Sequence, residues 1–388
     1  MAVTITDEST TGAVLPVGKI EPASCNDPTK GENMKTKRNS QHRVRPLRVV
    51  FGPGTRAEDR LRARVAMPAA LAAGLPRTPA HNLIFHGGNT IPDLVFTNFY
   101  VGGNNAWDAS DADSIDKALD AAMSDEDLNN VMSQYYPSGK ITSTFKGSTI
   151  LAGPPPSTVS QGDVENLVRA LFRNGALDSF DLNSTVFNFL LPKGTLLTTD
   201  EAPTTASVSA HLEKDDPKSI KGVPHEEEED SAHGLGGFHG SVHVGAGTNK
   251  EIIYYAVGVF SETLSDGTAN GIPAFDQPWK SIVATFYHEL NEARTDPDVE
   301  DAIRAGDDPD ALKFLGWTSK EGEECGDFPV TEANPLSKVF KEVGLTNGNR
   351  KAPVQFQYSN AAEGPEGPRK APAPFAGVVN AVAKTKTA

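Results

Sequence analysis

The clearest hydrophobic period in the chain lies between Trp279 and Asp298. Apolar residues recur there at steps of three and four, at Ile282, Val283, Phe286, Leu290 and Ala293. This spacing predicts a helix with one apolar face that packs on a core. Asp296 precedes Pro297, and a residue before proline is driven out of the helical region. We therefore expect the helix to end near Thr295.

Strand and helix patterns alternate from residue 82 onwards. Short runs rich in β-branched and aromatic residues predict strands, at 83–88, 94–103, 141–151, 184–192, 237–244, 252–260 and 354–360. Helical spacing covers 114–136 and 160–174. The run at 184–192 is strongly apolar, so we expect it to be a central strand. The alternation predicts an α/β body over residues 82–360, with a mixed sheet packed on the helix at 279–298.

Composition separates the two ends of the chain from this body. Residues 1–81 are rich in Thr, Ser, Pro, Gly and Arg, and residues 361–388 in Pro, Ala, Gly and Lys, so we predict a disordered basic leader and a disordered tail. The first 80 residues carry 13 Lys and Arg against seven Asp and Glu, whereas the rest of the chain carries 23 against 44. An acidic body lacks the basic footprint that phosphate contacts require, which argues against nucleic-acid binding. No run approaches the roughly 20 apolar residues of a membrane span.

Cysteines and targeting signals bear on the compartment. Cys25 and Cys325 are 300 positions apart, which argues against a structural disulfide framework. The N-terminus lacks the basic start and the continuous apolar stretch of a secretory signal peptide. We therefore expect a cytoplasmic location, or export by a non-standard route.

His288 and Glu292 are candidate metal ligands on the predicted helix. They are four residues apart, so their side chains lie one turn above the other and can hold one ion together. Glu289 takes the place of the general base in the HExxH helix of zinc proteases, and Glu292 takes the place of the second histidine. An isolated His-Glu pair is more often a surface pair on an amphipathic helix, so the context decides between the two interpretations.

Two other segments contain histidines with polar or acidic neighbours. The run HEEEED at 225–230, followed by His233, is typical of a solvated loop, and such a loop can also flank a metal site. His239 and His243 are four apart in a predicted strand and therefore point to the same face. Taken alone, strand histidines are more often ordinary polar residues than metal ligands.

Six motifs occur in an order that resembles the Exordium/phosphate-induced protein family of plants and its microbial relatives. They are HGG at 86–88, SQYYPSG at 133–139, GFHG at 237–240, HELNEARTDP at 288–297, GWTSKEGEECGD at 316–327 and VQFQYSN at 354–360. The resemblance therefore spans residues 82–360. The chain departs from the family pattern at Cys325, where the family has isoleucine, and at Tyr358, where it has tryptophan. No cysteine follows Asp327, in agreement with the absent signal peptide.

The resemblance implies a single zincin-like domain over residues 82–360 and a zinc-dependent hydrolase. A peptidase acting on a peptide or protein is the first expectation. The helix supplies two ligands, His288 and Glu292, and the resemblance adds Glu324 as the third. Asp327 and Asp296 are expected to hold these ligands in place.

The proposed chemistry assigns two further residues. Glu289 acts as the general base on a water activated by the metal, and His239 binds substrate or stabilises the oxyanion. The third ligand stays open between Glu324 and three alternatives, which are Asp296, Asp298 and His239. Two carboxylates and one imidazole suit zinc, and manganese or calcium also bind such donors. The alternative function is a non-catalytic surface or cell-wall-associated binding protein with a structural metal.

Overall fold

The computed structural model describes residues 75–199, 230–246, 249–305, 308, 310–346, 348 and 350–378, together with the backbone of two short strands near the N-terminus. The strands are β1 (Ile5–Thr6), β2 (Val49–Phe51), β3 (Ile84–Phe85), β4 (Asp93–Tyr100), β5 (Thr142–Leu151), β6 (Thr158–Ser160), β7 (Thr185–Leu190), β8 (Leu196–Thr198), β9 (Leu235–Ala246), β10 (Asn249–Gly258), β11 (Glu262–Thr263), β12 (Ala269–Asn270), β13 (Trp317–Thr318), β14 (Phe340–Gly344), β15 (Lys351–Gln355), β16 (Gln357–Ser359) and β17 (Gly364–Glu366). The helices are α1 (Ala109–Met123), α2 (Glu126–Met132), α3 (Gln161–Arg173), α4 (Pro278–Thr295), α5 (Val299–Ala305) and α6 (Asp327–Glu332).

Seven of these strands form one mixed sheet, in the order β1-β5-β4-β7-β10-β9-β2. β5, β4, β7 and β10 run parallel, whereas β9 is antiparallel to β10. Parallel strands need long crossovers, and the chain crosses from β4 to β5 through α1 and from β5 to β7 through α3. β7 lies between β4 and β10 and is buried at all six positions, which confirms the central strand predicted at 184–192.

Helices cover both faces of this sheet. On one face, Leu119 of α1 and Phe286 of α4 pack in one core cluster with Val186 of β7. On the other face, Val168 of α3 packs with Phe187, the next residue of β7. Adjacent residues of the strand therefore serve opposite faces, as strand geometry requires. The protein is of the mixed α/β class, as the alternating patterns predict.

Helix α4 ends at Thr295, so the end predicted from Pro297 is confirmed. Its first residue is Pro278. The backbone N–H at this position of a helix has no partner within the helix, so a proline there costs no hydrogen bond. The helix is buried on its polar side as well as on its apolar face, because every residue from Ser281 to Thr295 is buried. β15 packs against α4 and contributes to this cover. The predicted period identified the helix but not this second buried side.

The described body extends past both predicted boundaries. Within the predicted leader, His81 is buried and its ring stacks on Phe328 with 3.8 Å between ring centroids. Within the predicted tail, residues 361–378 contain β17, and the N–H of Ala373 donates to a carbonyl of α2 at 2.9 Å. The prediction of disorder is therefore wrong for 75–81 and 361–378, because backbone groups there find partners despite the Pro-rich and Gly-rich composition. Apart from β1 and β2, the remaining positions of the leader and tail lie outside the described residues.

Three further expectations can be compared with the described residues. None of the helices in those ranges is long and apolar enough to cross a membrane. His233 contacts Asp230 at 2.8 Å, while residues 225–229 of the acidic run lie outside the described ranges. His243 contacts Asp301 at 2.8 Å and is exposed, so it serves a surface pair.

Candidate metal centre

Three separate parts of the chain bring acidic and histidine side chains together beside α4. The helix itself carries His288, Glu289 and Glu292, which have no exposed surface. β9 contributes His239, which is paired in the sheet opposite Ala256 of β10 and is also fully buried. The segment between β13 and α6 contributes the carboxylate of Glu324, and the first residue of α6 contributes that of Asp327.

The first group of donors consists of His288, Glu292 and Asp327. One donor atom from each lies within 4.8 Å of the other two. The Nε2 atom of His288 lies 3.0 Å from Oε2 of Glu292, as expected for residues one helical turn apart. Neither atom has a hydrogen-bond partner, although both are buried. This group is therefore arranged to hold a cation.

The tautomer of His288 follows from its outer neighbour, Gln355. The Nε2 amide of Gln355 donates to the carbonyl of Gly326 at 2.7 Å, so its Oε1 accepts from Nδ1 of His288. In a neutral imidazole, the Nε2 atom of His288 then carries a lone pair that faces the carboxylate of Glu292. Two acceptors 3.0 Å apart repel each other unless a proton or a metal ion lies between them.

The second group of donors consists of His239, Glu289 and Glu292, again within 4.8 Å of one another. The Nδ1 atom of His239 lies 3.4 Å from Oε2 of Glu289 and 3.9 Å from Oε2 of Glu292. Its Nε2 atom lies 3.3 Å from the carbonyl oxygen of Asp296. Metal-bound histidines commonly donate their second N–H to such a carbonyl, which fixes the ring.

Glu324 and Asp296 lie beside these groups. Oε1 of Glu324 is 3.6 Å from Nε2 of His239, and neither oxygen of Glu324 has a hydrogen-bond partner. Among the described residues, Glu324 does not belong to either of the two donor groups, whereas Asp327, expected only to support the ligands, belongs to the first. Oδ1 of Asp296 accepts the Gly316 N–H at 2.8 Å.

Asp298, the remaining alternative ligand, lies in other surroundings. It accepts a hydrogen bond from Asn89 and is paired with Tyr254. Asn89 and Tyr254 line a cavity of about 530 Å³ whose other walls include Phe172, Leu177 and Phe180. The two donor groups do not line this cavity. We take the donor groups as the functional centre because they offer buried unpaired ligand atoms.

Burial controls the electrostatics of the centre. It raises the pKa of Glu289 to about 8, and Glu292 adds to the rise while His239 opposes it. Burial and the same Glu292 carboxylate also raise the pKa of Glu324 and of Asp327 well above the ordinary range. Burial likewise raises the pKa of Asp296.

Among the described residues, histidines and not lysine or arginine face the carboxylates of the centre. Burial lowers the pKa of His288, but the carboxylate of Glu292 and the other acceptors around the ring outweigh it, so the pKa is raised overall. Arg294, on the same helix, instead donates to the carbonyls of Pro92 and Thr142. In the described ranges, no Lys or Arg forms an ion pair with the carboxylates of the two groups. Buried carboxylates without a counter-charge cost several kcal/mol each, roughly. Oxygen and imidazole donors in this state fit a divalent cation.

The sequence patterns did not reveal the roles of Gly326 and Gln355. The N–H of Gly326 donates to Oε1 of Glu292 at 2.9 Å, and a Cβ atom at this glycine would lie 2.3 Å from Nδ1 of His288. Only a residue without a side chain lets the ring and the backbone approach this closely. Both residues lie within motifs that carry the family resemblance, and that was the signal available. His81 was likewise missed; its Nδ1 contacts Glu323 at 2.8 Å, next to Glu324.

Comparison with profiles of known protein families, with curated proteins and with solved structures finds no match. The resemblance to the Exordium family therefore stays a prediction, as does the zincin-like fold. What can be said of function follows from the donor groups and their surroundings.

Proposed function

We propose that this chain is a divalent-metal-dependent hydrolase of zincin-like type, with zinc as the expected metal and a peptide or protein as the substrate. One observation carries the proposal. The Nε2 atom of His288 and Oε2 of Glu292 face each other at 3.0 Å, buried and without a hydrogen bond, beside Asp327. A cation or a proton between the two atoms accounts for this arrangement, and the buried carboxylate of Asp327 beside them favours a divalent cation.

Residues from several of the family-like motifs lie close together in the folded chain, and this supports the same proposal. His288 and Glu289 lie in HELNEARTDP on α4, and they are contacted by Gln355 of VQFQYSN and by His239 of GFHG. Glu324 and Asp327 come from GWTSKEGEECGD. Segments that are up to about a hundred residues apart along the chain thus contribute to one centre, which an accidental His-Glu pair does not explain.

In the proposed centre, His288 and Glu292 would hold the ion together with a third carboxylate, from Asp327 at the start of α6 or from Glu324 just before it. A bound divalent ion supplies Lewis-acid chemistry and lowers the pKa of water. Glu289 is the proton acceptor, since Oε1 has no hydrogen-bond partner while Oε2 faces His239. Burial raises the pKa of Glu289 in the metal-free centre, and a nearby cation would lower it again, which would leave a carboxylate that can accept a proton near neutral pH. Burial of the donors keeps bulk water out of the centre.

Metal content and activity test this proposal together. Elemental analysis of purified protein should find bound zinc in the wild type and loss of the ion in His288→Ala. His243→Ala removes a surface histidine and should keep it. Glu289→Gln should retain the ion held by His288 and lower the hydrolysis of a peptide library by about 10²–10⁴-fold, because the amide cannot accept a proton. Equal activity of Glu289→Gln and wild type would remove Glu289 from the mechanism.

A second candidate function is the non-catalytic binding protein with a structural metal. The observation that favours it is burial, because His239, His288, Glu289, Glu292 and Glu324 have no exposed surface. A closed centre suits a structural ion, whereas catalysis requires a path for substrate. If the metal-loaded wild type cleaves no member of the library with zinc, manganese or calcium, this second function replaces the first.

A further inference from the structure

The centre contains two donor groups that share one residue, Glu292. One group takes His288 and Asp327 as its other members, and the second takes His239 and Glu289. We propose that the centre binds two divalent cations, with the Glu292 carboxylate between them. This inference rests on the proposed function, since the first cation is the one assigned there to His288 and Glu292.

Geometry argues against a single ion held by both histidines. Two donors bound to one zinc at about 2.0–2.1 Å can be at most about 4.2 Å apart. Among the described residues, no group with all members within 4.8 Å contains both His239 and His288. Oε2 of Glu292, by contrast, lies 3.0 Å from Nε2 of His288 and 3.9 Å from Nδ1 of His239. The shared carboxylate therefore faces both imidazoles, which is the position of a bridging ligand.

The second histidine has the same ligand geometry as the first. The Nε2 atom of His239 is 3.3 Å from the carbonyl of Asp296, which can accept its N–H. Its Nδ1 lone pair then faces the carboxylates of Glu289 and Glu292. Oε1 of Glu289 is buried and has no hydrogen-bond partner. The second group thus places a histidine nitrogen, whose contact with Oε2 of Glu289 is long at 3.4 Å, beside two carboxylates. In these carboxylates, Oε1 of Glu289 and Oε2 of Glu292 have no hydrogen-bond partner.

The negative charge of the buried carboxylates also indicates two ions. Five carboxyl groups are buried at the centre, those of Glu289, Glu292, Asp296, Glu324 and Asp327. If all five are ionised in the metal-loaded centre, one divalent ion leaves three negative charges without compensation, whereas two ions leave one. The single remaining charge can be carried by Asp296, whose Oδ1 accepts a backbone N–H. Two-metal hydrolytic centres usually hold their ions about 3.5–4 Å apart and stabilise both the attacking and the leaving oxygen of the reaction.

Metal titration of the purified full-length chain tests the inference. Protein stripped with a chelator and dialysed against Zn²⁺ should retain two ions per chain, and His239→Ala should retain one. His243→Ala, a change on the same strand, should retain two. With Mn²⁺, wild type should give the electron paramagnetic resonance signal of a coupled pair, and His239→Ala that of an isolated ion. Glu289→Gln provides an isosteric second variant, which should also lose one ion.

The outcomes separate this inference from the proposed function. One ion in the wild type, unchanged in His239→Ala and Glu289→Gln, overturns the two-ion centre and leaves the single-ion hydrolase standing. No bound ion in the wild type overturns both. An uncoupled Mn²⁺ signal from wild type at full loading also contradicts the inference, and this result does not depend on whether a variant folds.

Discussion

Removing the metal should make the stability of this protein fall as pH rises from 5 to 8. The metal-free centre buries carboxyl groups whose pKa values are raised, above all by burial, as in Glu289, Asp296 and Glu324. A group with a raised pKa in the folded state keeps its proton there while the unfolded chain has already released it. Its stabilising effect is complete below the unfolded pKa and disappears as pH rises through the folded pKa.

The magnitude follows from Glu289. Its pKa rises from 4.5 to about 8, so the window of lost stability lies between these two values. Since one pH unit corresponds to about 1.4 kcal/mol for each proton, this carboxyl group alone destabilises the metal-free fold by roughly 5 kcal/mol between the ends of that window. Asp296, Glu324 and Asp327 act in the same direction. Local hydrogen bonds lower the pKa values of surface carboxyls such as Asp181 and Asp266. These groups therefore change the stability of the fold only at lower pH, outside this window.

The assay is urea unfolding of chelator-treated protein at pH 5, 6, 7 and 8. Metal-free Glu289→Gln should match wild type at pH 5 and be more stable by several kcal/mol, roughly, at pH 8, because the amide is never ionised. Glu251→Gln changes an exposed carboxyl group and should follow wild type throughout. Wild-type stability that is constant or rises from pH 5 to 8 would refute the electrostatic description of the centre.

Two further changes test the contacts around the ligands. Gly326→Ala should displace the ring of His288, because the new Cβ would lie 2.3 Å from Nδ1. This variant should bind less metal, and its free energy of unfolding in urea should fall by about 1–3 kcal/mol. Gly344→Ala, where a Cβ meets nothing within 4 Å, is the control and should keep full metal occupancy. His81→Ala removes the nitrogen that contacts Glu323 and the ring that stacks on Phe328, and it leaves Ser319 as a side-chain donor to Glu323. The change should cost about 1–3 kcal/mol, which Glu323→Gln in the same chain should partly restore. A loss below about 0.5 kcal/mol would contradict a buried hydrogen bond of this kind.

Much of the fold could be predicted because its elements have strong local patterns. β7 is apolar at four of its six positions, and the period of α4 ends just before a proline, so both follow from short stretches of sequence. Disorder was wrongly predicted for 75–81 and 361–378 because composition describes only an average tendency to disorder. It does not reveal single contacts such as the stacking of His81 on Phe328. Residues 361–378 are held by contacts with α2, which lies more than 200 residues earlier.

The site, like the fold, could be predicted from the sequence only in part. His288 and Glu292 could be paired from the sequence because a helix fixes neighbours four residues apart. His239 approaches them only because β9 pairs with β10 and α4 lies on the same sheet, which is a property of the fold. The bond from His288 to Gln355 joins residues 67 positions apart, and no local period encodes it. Local geometry thus predicts one half of the centre, and tertiary structure adds the other.

The number of donors bears on whether the centre is structural or catalytic. A structural zinc site is closed by four protein ligands, and replacing buried ionic groups with apolar ones is often neutral for stability. This centre places seven ionisable side chains around α4, and the oxygens of Glu324 and Oε1 of Glu289 have no hydrogen-bond partner. That is more than one closed tetrahedral ion can use, and the excess lowers the stability of the metal-free fold. A surplus of buried, unpaired donors is therefore better explained by a second ion or by proton transfer than by a structural role alone.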